Sequence, residues 1–201
     1  IDVALHEAVF NVMESLVPEY SAFGAVRDAA GSALPGIAPS NAYPCTDGWV
    51  LVAGNGDSIF KRLMDTIGRP DLGTAPGLAD NAGRVARVGE IDAAIGAWTA
   101  SRTVQAVLDG LGAARVPAGK VYTAQDISED PHYRARDMLL KQTTRDGYEV
   151  EVPGIVPKLS ATPGRVRSSA PHLGDDTDAV LAEAGLTPEQ IALLRSKGVI
   201  Q

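Results

Sequence analysis

The sequence has a single cysteine, no long apolar run and no excess of positive charge. Cys45 is the one cysteine among 201 residues, which excludes an internal disulfide. The three histidines, His6, His132 and His172, stand far apart, so no Cys/His cluster has metal-ligand spacing. No apolar run approaches the roughly 20 residues that span a bilayer. The N-terminal stretch is acidic and amphipathic and lacks the basic region of a signal peptide. Lys and Arg number 18 against 25 Asp and Glu, a net charge of −7, with a pI of about 4.9. That balance leaves no electrostatic footprint for nucleic acid or an anionic membrane. The expectation from these absences is a cytoplasmic protein with neither nucleic-acid nor membrane partners.

Catalytic signatures are missing as well. There is no Gly-x-Ser-x-Gly elbow and no evident Cys–His or Ser–His pairing. The Gly54-Asn55-Gly56 step has neither the Gly-Lys-Ser/Thr of a phosphate loop nor the third glycine of a dinucleotide fingerprint, because Ile59 stands there. It reads instead as a strand-to-helix turn with positive φ at both glycines and Asp57 as the helix cap. Asp126, Asp130 and Asp175 also sit at expected helix starts, which gives each a structural task before a catalytic one. Cys45, between Pro44 and Thr46, reads as a small apolar filler. His132 and His172 read as surface residues near helix starts.

What is present is a mixed α and β pattern. "IDVALHEAVFNVMESLVPEY" enters an apolar pattern at once, and predicts a helix over residues 3–17 that ends at Pro18. Its uncapped start suggests a chain that continues something longer. Ser21–Pro44 has turn formers and no helical period, and reads as a long coil. Asp47-Gly48 marks a tight turn into "WVLVAG", a short strand. The stripe Ile59, Phe60, Leu63, Met64 and Ile67 predicts a helix stopped by Gly68, after which "GRPDLGTAPGLADNAGR" reads as coil. Two helices follow. One carries Val88, Ile91, Ile95 and Trp98 on one side. The other, capped by Thr103, turns Val104, Val107, Leu108 and Leu111 inward. Residues 116–123 read as a strand, residues 124–138 as two short helical segments, and "LLKQTTRDGYEVEVP" as a hairpin. After a proline-rich extended stretch, two helices close the chain, the last with Thr187 as cap and Pro188 in its first turn. The fold class is therefore mixed α+β. A central unit at 42–123 is flanked by segments 1–41 and 124–201, which look like two halves of a split neighbouring domain.

Six stretches, in order along the chain, resemble the class III CoA-transferase family, the group of formyl-CoA transferase and carnitine CoA-transferase. They are "IDVALHEAV", "YPCTDGWVLVAGNGDSIFKRLMDTIGRPDL", the Asn-x-x-Arg-Val of "NAGRVARVGEID", "LGAARVPAGKVYTAQDISEDPHYRARDM", "VPGIVPKLSATPG" and "APHLGDDTDAVLAEAGLTPEQIALLRSKGVI". The resemblance implies a chain of about twice this length. In that fold a Rossmann-like large domain is split around a small α+β domain, and two subunits interlock as a homodimer. Residues 1–41 would be the exit helix and linker, 42–123 the small domain, and 124–201 the return linker, hairpin and closing helices.

The resemblance further implies CoA transfer between an acyl-CoA thioester and a small carboxylic acid, with coenzyme A thioester as substrate and no cofactor. The family's catalytic aspartate, which forms a mixed anhydride with the acyl group, lies upstream of Ile1, so no catalytic residue is expected in this chain. In formyl-CoA transferase the coil corresponding to "LPGIAPSNAYP" is a glycine-rich lid. Here it holds one glycine, so a stiffer lid is expected, with Gly36, Ser40, Asn41 and Tyr43 lining the acyl end of the site. The alternative is a plain connector. The α-methylacyl-CoA racemases of the same family use a glutamate that aligns near Asn55-Gly56-Asp57, where this chain has glycine. A third reading is a non-catalytic fragment or partner-binding domain, whose apolar surfaces at 1–20 and 175–200 should drive self-association.

Overall fold

The computed structural model describes residue 2, residues 4–13 and residues 15–200. The chain divides into two units, Ile1–Val121 and Tyr122–Gln201. In the first unit the elements run α1 (Leu5–Phe10), α2 (Leu16–Phe23), β1 (Ser40–Pro44), β2 (Trp49–Ala53), α3 (Asp57–Thr66), α4 (Pro70–Gly73), a 3-10 turn at Pro76–Leu78, α5 (Asn81–Ala86), α6 (Val88–Thr99), α7 (Val104–Ala113) and β3 (Ala118–Lys120). The second unit holds α8 (Ala124–Glu129), α9 (Pro131–Ala135), β4 (Leu139–Thr143), β5 (Glu149–Pro153), α10 (Thr177–Glu183) and α11 (Pro188–Ser196).

Three antiparallel strands in the order β1-β2-β3 form the sheet of the first unit, with Val50 opposite both Tyr43 and Lys120. Strand β2 alternates as a half-buried strand must: Val50 and Val52 point into the core while Trp49 and Leu51 face out. Against the inner face pack Phe60, Leu63 and Met64 of α3, Ile91 and Ile95 of α6, and Val107 and Leu111 of α7. Each is almost wholly withdrawn from water, worth roughly 1.5–3 kcal/mol per side chain before entropy is charged against it. The helical stripes expected for α3 and α7 are therefore the faces that are buried. On α6 the innermost positions are Ile91, Ile95 and Thr99, whereas Val88 is half-exposed.

The N-terminus of α7 takes two caps. Thr103 accepts from the Ala106 N–H at 3.2 Å, and Asp47, in the β1–β2 turn, accepts from the Val104 N–H at 2.7 Å. The turn thus seats the helix as well as reversing the chain.

Several expectations are corrected. The single helix over 3–17 is two helices, and Pro18 lies in the first turn of α2, where its missing N–H costs nothing because the first four helical N–H groups have no intrahelical partner. Val3 and Glu14 lie outside the described residues. The expected coil ends in strand, since β1 begins at Ser40, and the second expected coil contains α4, the 3-10 turn and α5. Gly54 and Gly56 do not have positive φ. Gly54 lies against the core, since a Cβ there would sit 2.4 Å from Leu63 Cδ2 and the buried leucine would have to shift. Gly56, extended at φ −74°, is the cap position of α3, and Asp57 is the first helical residue. Asp176, not Asp175, stands at the cap of α10, while Asp175 accepts from the His172 N–H at 2.9 Å.

In the second unit β4 and β5 pair as the expected hairpin, with Gly147 at φ 87° in its turn. Asp130 caps α9 through the His132 and Tyr133 N–H groups. Thr123 with Asp126, and Thr187 with Gln190, form reciprocal capping boxes on α8 and α11. Large apolar side chains stand open to water near both ends of the chain: Leu5 at 90% and Phe23 at 84% in the first unit, Leu173 at 87% in the second. No helix among the described residues is long and apolar enough to cross a membrane.

Candidate functional site

The polar groups of the first unit converge where the coil before β1 meets the turn after β2. Asp80 caps α5 by accepting from the Gly83 N–H at 2.8 Å. That cap sets the first turn of α5, which carries Asn81 and Arg84 one turn apart on one face. The Asn81 side-chain amide grips the coil in both directions, donating to Gly36 O at 2.9 Å and accepting from the Ala38 N–H at 3.1 Å.

Arg84 is 1% exposed, the largest fully buried side chain described. Its five N–H groups meet five oxygens: Nε meets Ala38 O at 3.1 Å, Nη1 meets Leu78 O at 3.2 Å and Ala79 O at 3.3 Å, and Nη2 meets Asn55 O at 2.8 Å and Asp57 Oδ1 at 2.7 Å. The guanidinium also lies over the Phe60 ring, 5.1 Å from its centroid. A buried charge survives only when its hydrogen-bonding capacity is met, and here it is met in full. One of those five oxygens is charged, and the Asp57 side chain that carries it is 72% exposed. The cradle is therefore built mainly of carbonyl dipoles.

The four residues expected to line a site divide among three places. Ser40 and Asn41 line a groove of about 380 Å³ together with Ser32, Ala53, Pro117 and Ala118. Gly36, at φ 79°, contributes its carbonyl to Asn81. Tyr43 is 3% exposed in the core, and its hydroxyl donates to Asp92 Oδ1 at 2.6 Å. Asn41 reaches the same carboxylate, donating to Asp92 Oδ2 at 3.0 Å, while its own Oδ1 accepts from the Ser32 hydroxyl at 2.7 Å. Asp92 thus joins Tyr43 to the groove wall. Sequence reasoning meets Asn81 and Arg84 only within the Asn-x-x-Arg-Val of the family resemblance, with no role attached, and does not single out Asp92. The Asn-x-x-Arg spacing on one helical face was the available signal for the first two.

Burial pushes the Tyr43 hydroxyl well above its ordinary pKa of 10.0, and the hydrogen bond and charge of Asp92 act in the same direction. A pKa raised on folding stabilises the fold below the unfolded value, and that stabilisation is lost as pH rises through the folded one. Unfolding free energy measured in urea is therefore expected to fall as pH climbs from about 10 upward, and Tyr43→Phe is expected to flatten that limb. Equal slopes for the two proteins would refute this.

Burial raises the Cys45 thiol above its ordinary range, Asp47 adds to the effect, and the side chain packs against the core. Among the described residues no group of three or more His, Cys, Asp or Glu could hold a metal ion. Asp57, near the place of the racemase glutamate, is committed to Arg84. What the geometry offers is a mostly apolar groove into which Ser32, Ser40 and Asn41 bring the polar side chains, Asn41 being held from behind by Asp92.

Residues 1–177 match the family model for CoA-transferase family III. The chain belongs to that family. Among its relatives, succinyl-CoA–D-citramalate CoA-transferase of Chloroflexus aurantiacus is 39% identical over 205 residues, a match that covers 100% of this chain and 50% of the relative. The succinyl-CoA–L-malate CoA-transferase beta subunit of the same organism is 37% identical, again over 100% of this chain and 50% of the relative. Among solved structures, a CaiB/BaiF family protein from Brucella suis matches with a TM-score of 0.71 at 28% identity, over 91% of this chain and 47% of that one. The chain thus spans about half the length of the family III relatives it matches, and its mixed α and β fold is that of the CaiB/BaiF proteins.

Proposed function

We propose that this chain is the C-terminal portion of a CoA-transferase that moves CoA from succinyl-CoA to a small hydroxydicarboxylic acid. The observation that carries the proposal is the 39% identity, across the whole chain, to a transferase whose donor is succinyl-CoA and whose acceptor is D-citramalate. Two further family III relatives are named for succinyl-CoA and L-malate. The two acceptors are both short hydroxydicarboxylates, which narrows the substrate class.

In this reading the nucleophile is the aspartate of the other half. Its carboxylate attacks the thioester carbonyl, expels CoA thiolate and leaves a mixed anhydride. The role of the present chain is to wall the acyl end and keep water from that anhydride. Ser40 and Asn41 present their side chains to the bound acyl group. Gly36 and Tyr43 support them, the first through the coil and the second through Asp92. The reading calls on no metal or prosthetic group, places the enzyme in the cytoplasm and has it act as a homodimer, with residues 42–123 as the small domain.

The test is acceptor-dependent formation of a new CoA ester from succinyl-CoA. It should be followed by chromatography in the polypeptide that carries this chain together with the half its relatives possess. Transfer to L-malate or D-citramalate is expected there, and none from residues 1–201 alone. Absence of transfer to either acid in the longer polypeptide, or exchange of an α-proton without any acceptor, would overturn the reading.

A further inference from the structure

We infer that Asn81 and Arg84 are positioning residues that pin the coil at Gly36–Pro39 to the Asn55–Asp57 turn, so that this part of the chain is a fixed wall and not a lid. Four backbone groups of the coil are tied to distant elements. Gly36 O and the Ala38 N–H are held by Asn81, Ala38 O is held by Arg84, and Pro39 O accepts from the Gly54 N–H at 3.0 Å. The same guanidinium binds Asn55 O and Asp57 Oδ1. Coil and turn are thus two jaws closed on one side chain.

Swinging the coil outward would break all four ties and leave the Nε–H of a buried guanidinium without its acceptor. The coil runs directly into β1, whose first two residues, Ser40 and Asn41, line the groove. A fault in the clamp therefore shifts the groove wall, although neither Asn81 nor Arg84 lies on it. Lysine cannot replace Arg84, because three donors on a flexible stem cannot serve five fixed oxygens.

The kinetic part of this inference rests on the transferase reading, whereas the structural part does not. Amide hydrogen exchange and steady-state kinetics on the longer polypeptide separate the two. Asn81→Ala removes the grip on Ala38 and leaves the core untouched, so it is the variant that should still fold; Arg84→Lys is its partner. In Asn81→Ala, exchange at Ala38 is expected to quicken by about tenfold or more while amides of α6 and α7 keep their protection. KM for the acid acceptor is expected to rise by about tenfold, with KM for succinyl-CoA little changed and more succinyl-CoA lost to hydrolysis. Asn81→Asp, which can accept from Ala38 but cannot donate to Gly36, should fall between the two.

Rapid exchange at Ala38 in the unaltered protein, or no change in Asn81→Ala, overturns the clamp. Faster exchange with unchanged kinetics overturns the positioning role and leaves the clamp standing. If the unaltered protein transfers no CoA at all, the transferase reading falls, and the exchange result still decides the clamp.

Discussion

Arg84→Met is expected to destabilise the first unit by about 3–5 kcal/mol, because it removes a fully paired buried cation and leaves its acceptors without donors. Methionine keeps most of the stem's volume, so the loss reports hydrogen bonds and not a cavity. The oxygens left behind belong to Ala38, Asn55, Leu78 and Ala79 as well as Asp57, and Ala38 and Leu78 are each 1% exposed. Both tryptophans, Trp49 and Trp98, lie in the first unit, so fluorescence during denaturant unfolding reads this unit selectively. Asp57→Asn is the informative companion. Its side chain is 72% exposed and an amide oxygen can still accept from Arg84, so the expected loss is about 1 kcal/mol or less. A cost as large as that of Arg84→Met would mean that the ion pair, and not the carbonyl cradle, holds the arginine.

The second large effect reverses a general rule. Replacing a glycine inside a helix by alanine ordinarily stabilises it by about 1 kcal/mol. At Gly83, in α5, the replacement is expected to destabilise by about 2–3 kcal/mol, because a Cβ there would lie 2.1 Å from Gly77 O and 3.0 Å from Gly77 C. The atoms in the way are backbone of the segment that supplies two of Arg84's carbonyls, so nothing flexible can yield. Gly96 is the control. It lies inside α6 and a Cβ there would meet nothing within 4 Å. Gly96→Ala should raise the thermal midpoint and Gly83→Ala should lower it, and midpoints that move in the same direction would refute the packing argument.

The parts of this fold that were legible in the sequence are those fixed by nearest neighbours. The stripe of α3, the short β-rich run of β2, the caps Thr103, Thr187 and Asp130 and the hairpin of β4 and β5 all depend on close neighbours in the chain. The parts that were not legible depend on distant partners. Nothing near Gly54 announces that Leu63 will press on it, and nothing near Asp57 tells that Arg84 will take its carboxylate. Pro18 was misread because proline both stops helices and starts them, and local pattern does not say which. At the candidate site, Ser40 and Asn41 reach the groove. Tyr43, an aromatic in a short apolar strand, goes to the core, where Asp92 occupies its hydroxyl. The Asn-x-x-Arg-Val motif put both clamp residues in view, but not what they hold, because the clamp's bonds run from 5 to 46 residues along the chain.

Strand β2 lies at the centre of its sheet, yet its two neighbours arrive at very different times. β1 precedes it by a tight turn, whereas β3, which pairs Val50 with Lys120, comes only after the intervening helices. While the chain is being synthesised, β2 therefore shows an unpaired edge until Ala118–Lys120 has emerged, even after the helices that cover its inner face. The Asp47 turn closes on itself, the Cys45 N–H donating to Gly48 O at 2.8 Å, but its carboxylate meets the N–H of Val104 only once that residue has emerged. The sheet of the first unit is thus complete only once a strand near that unit's own C-terminal end is in place.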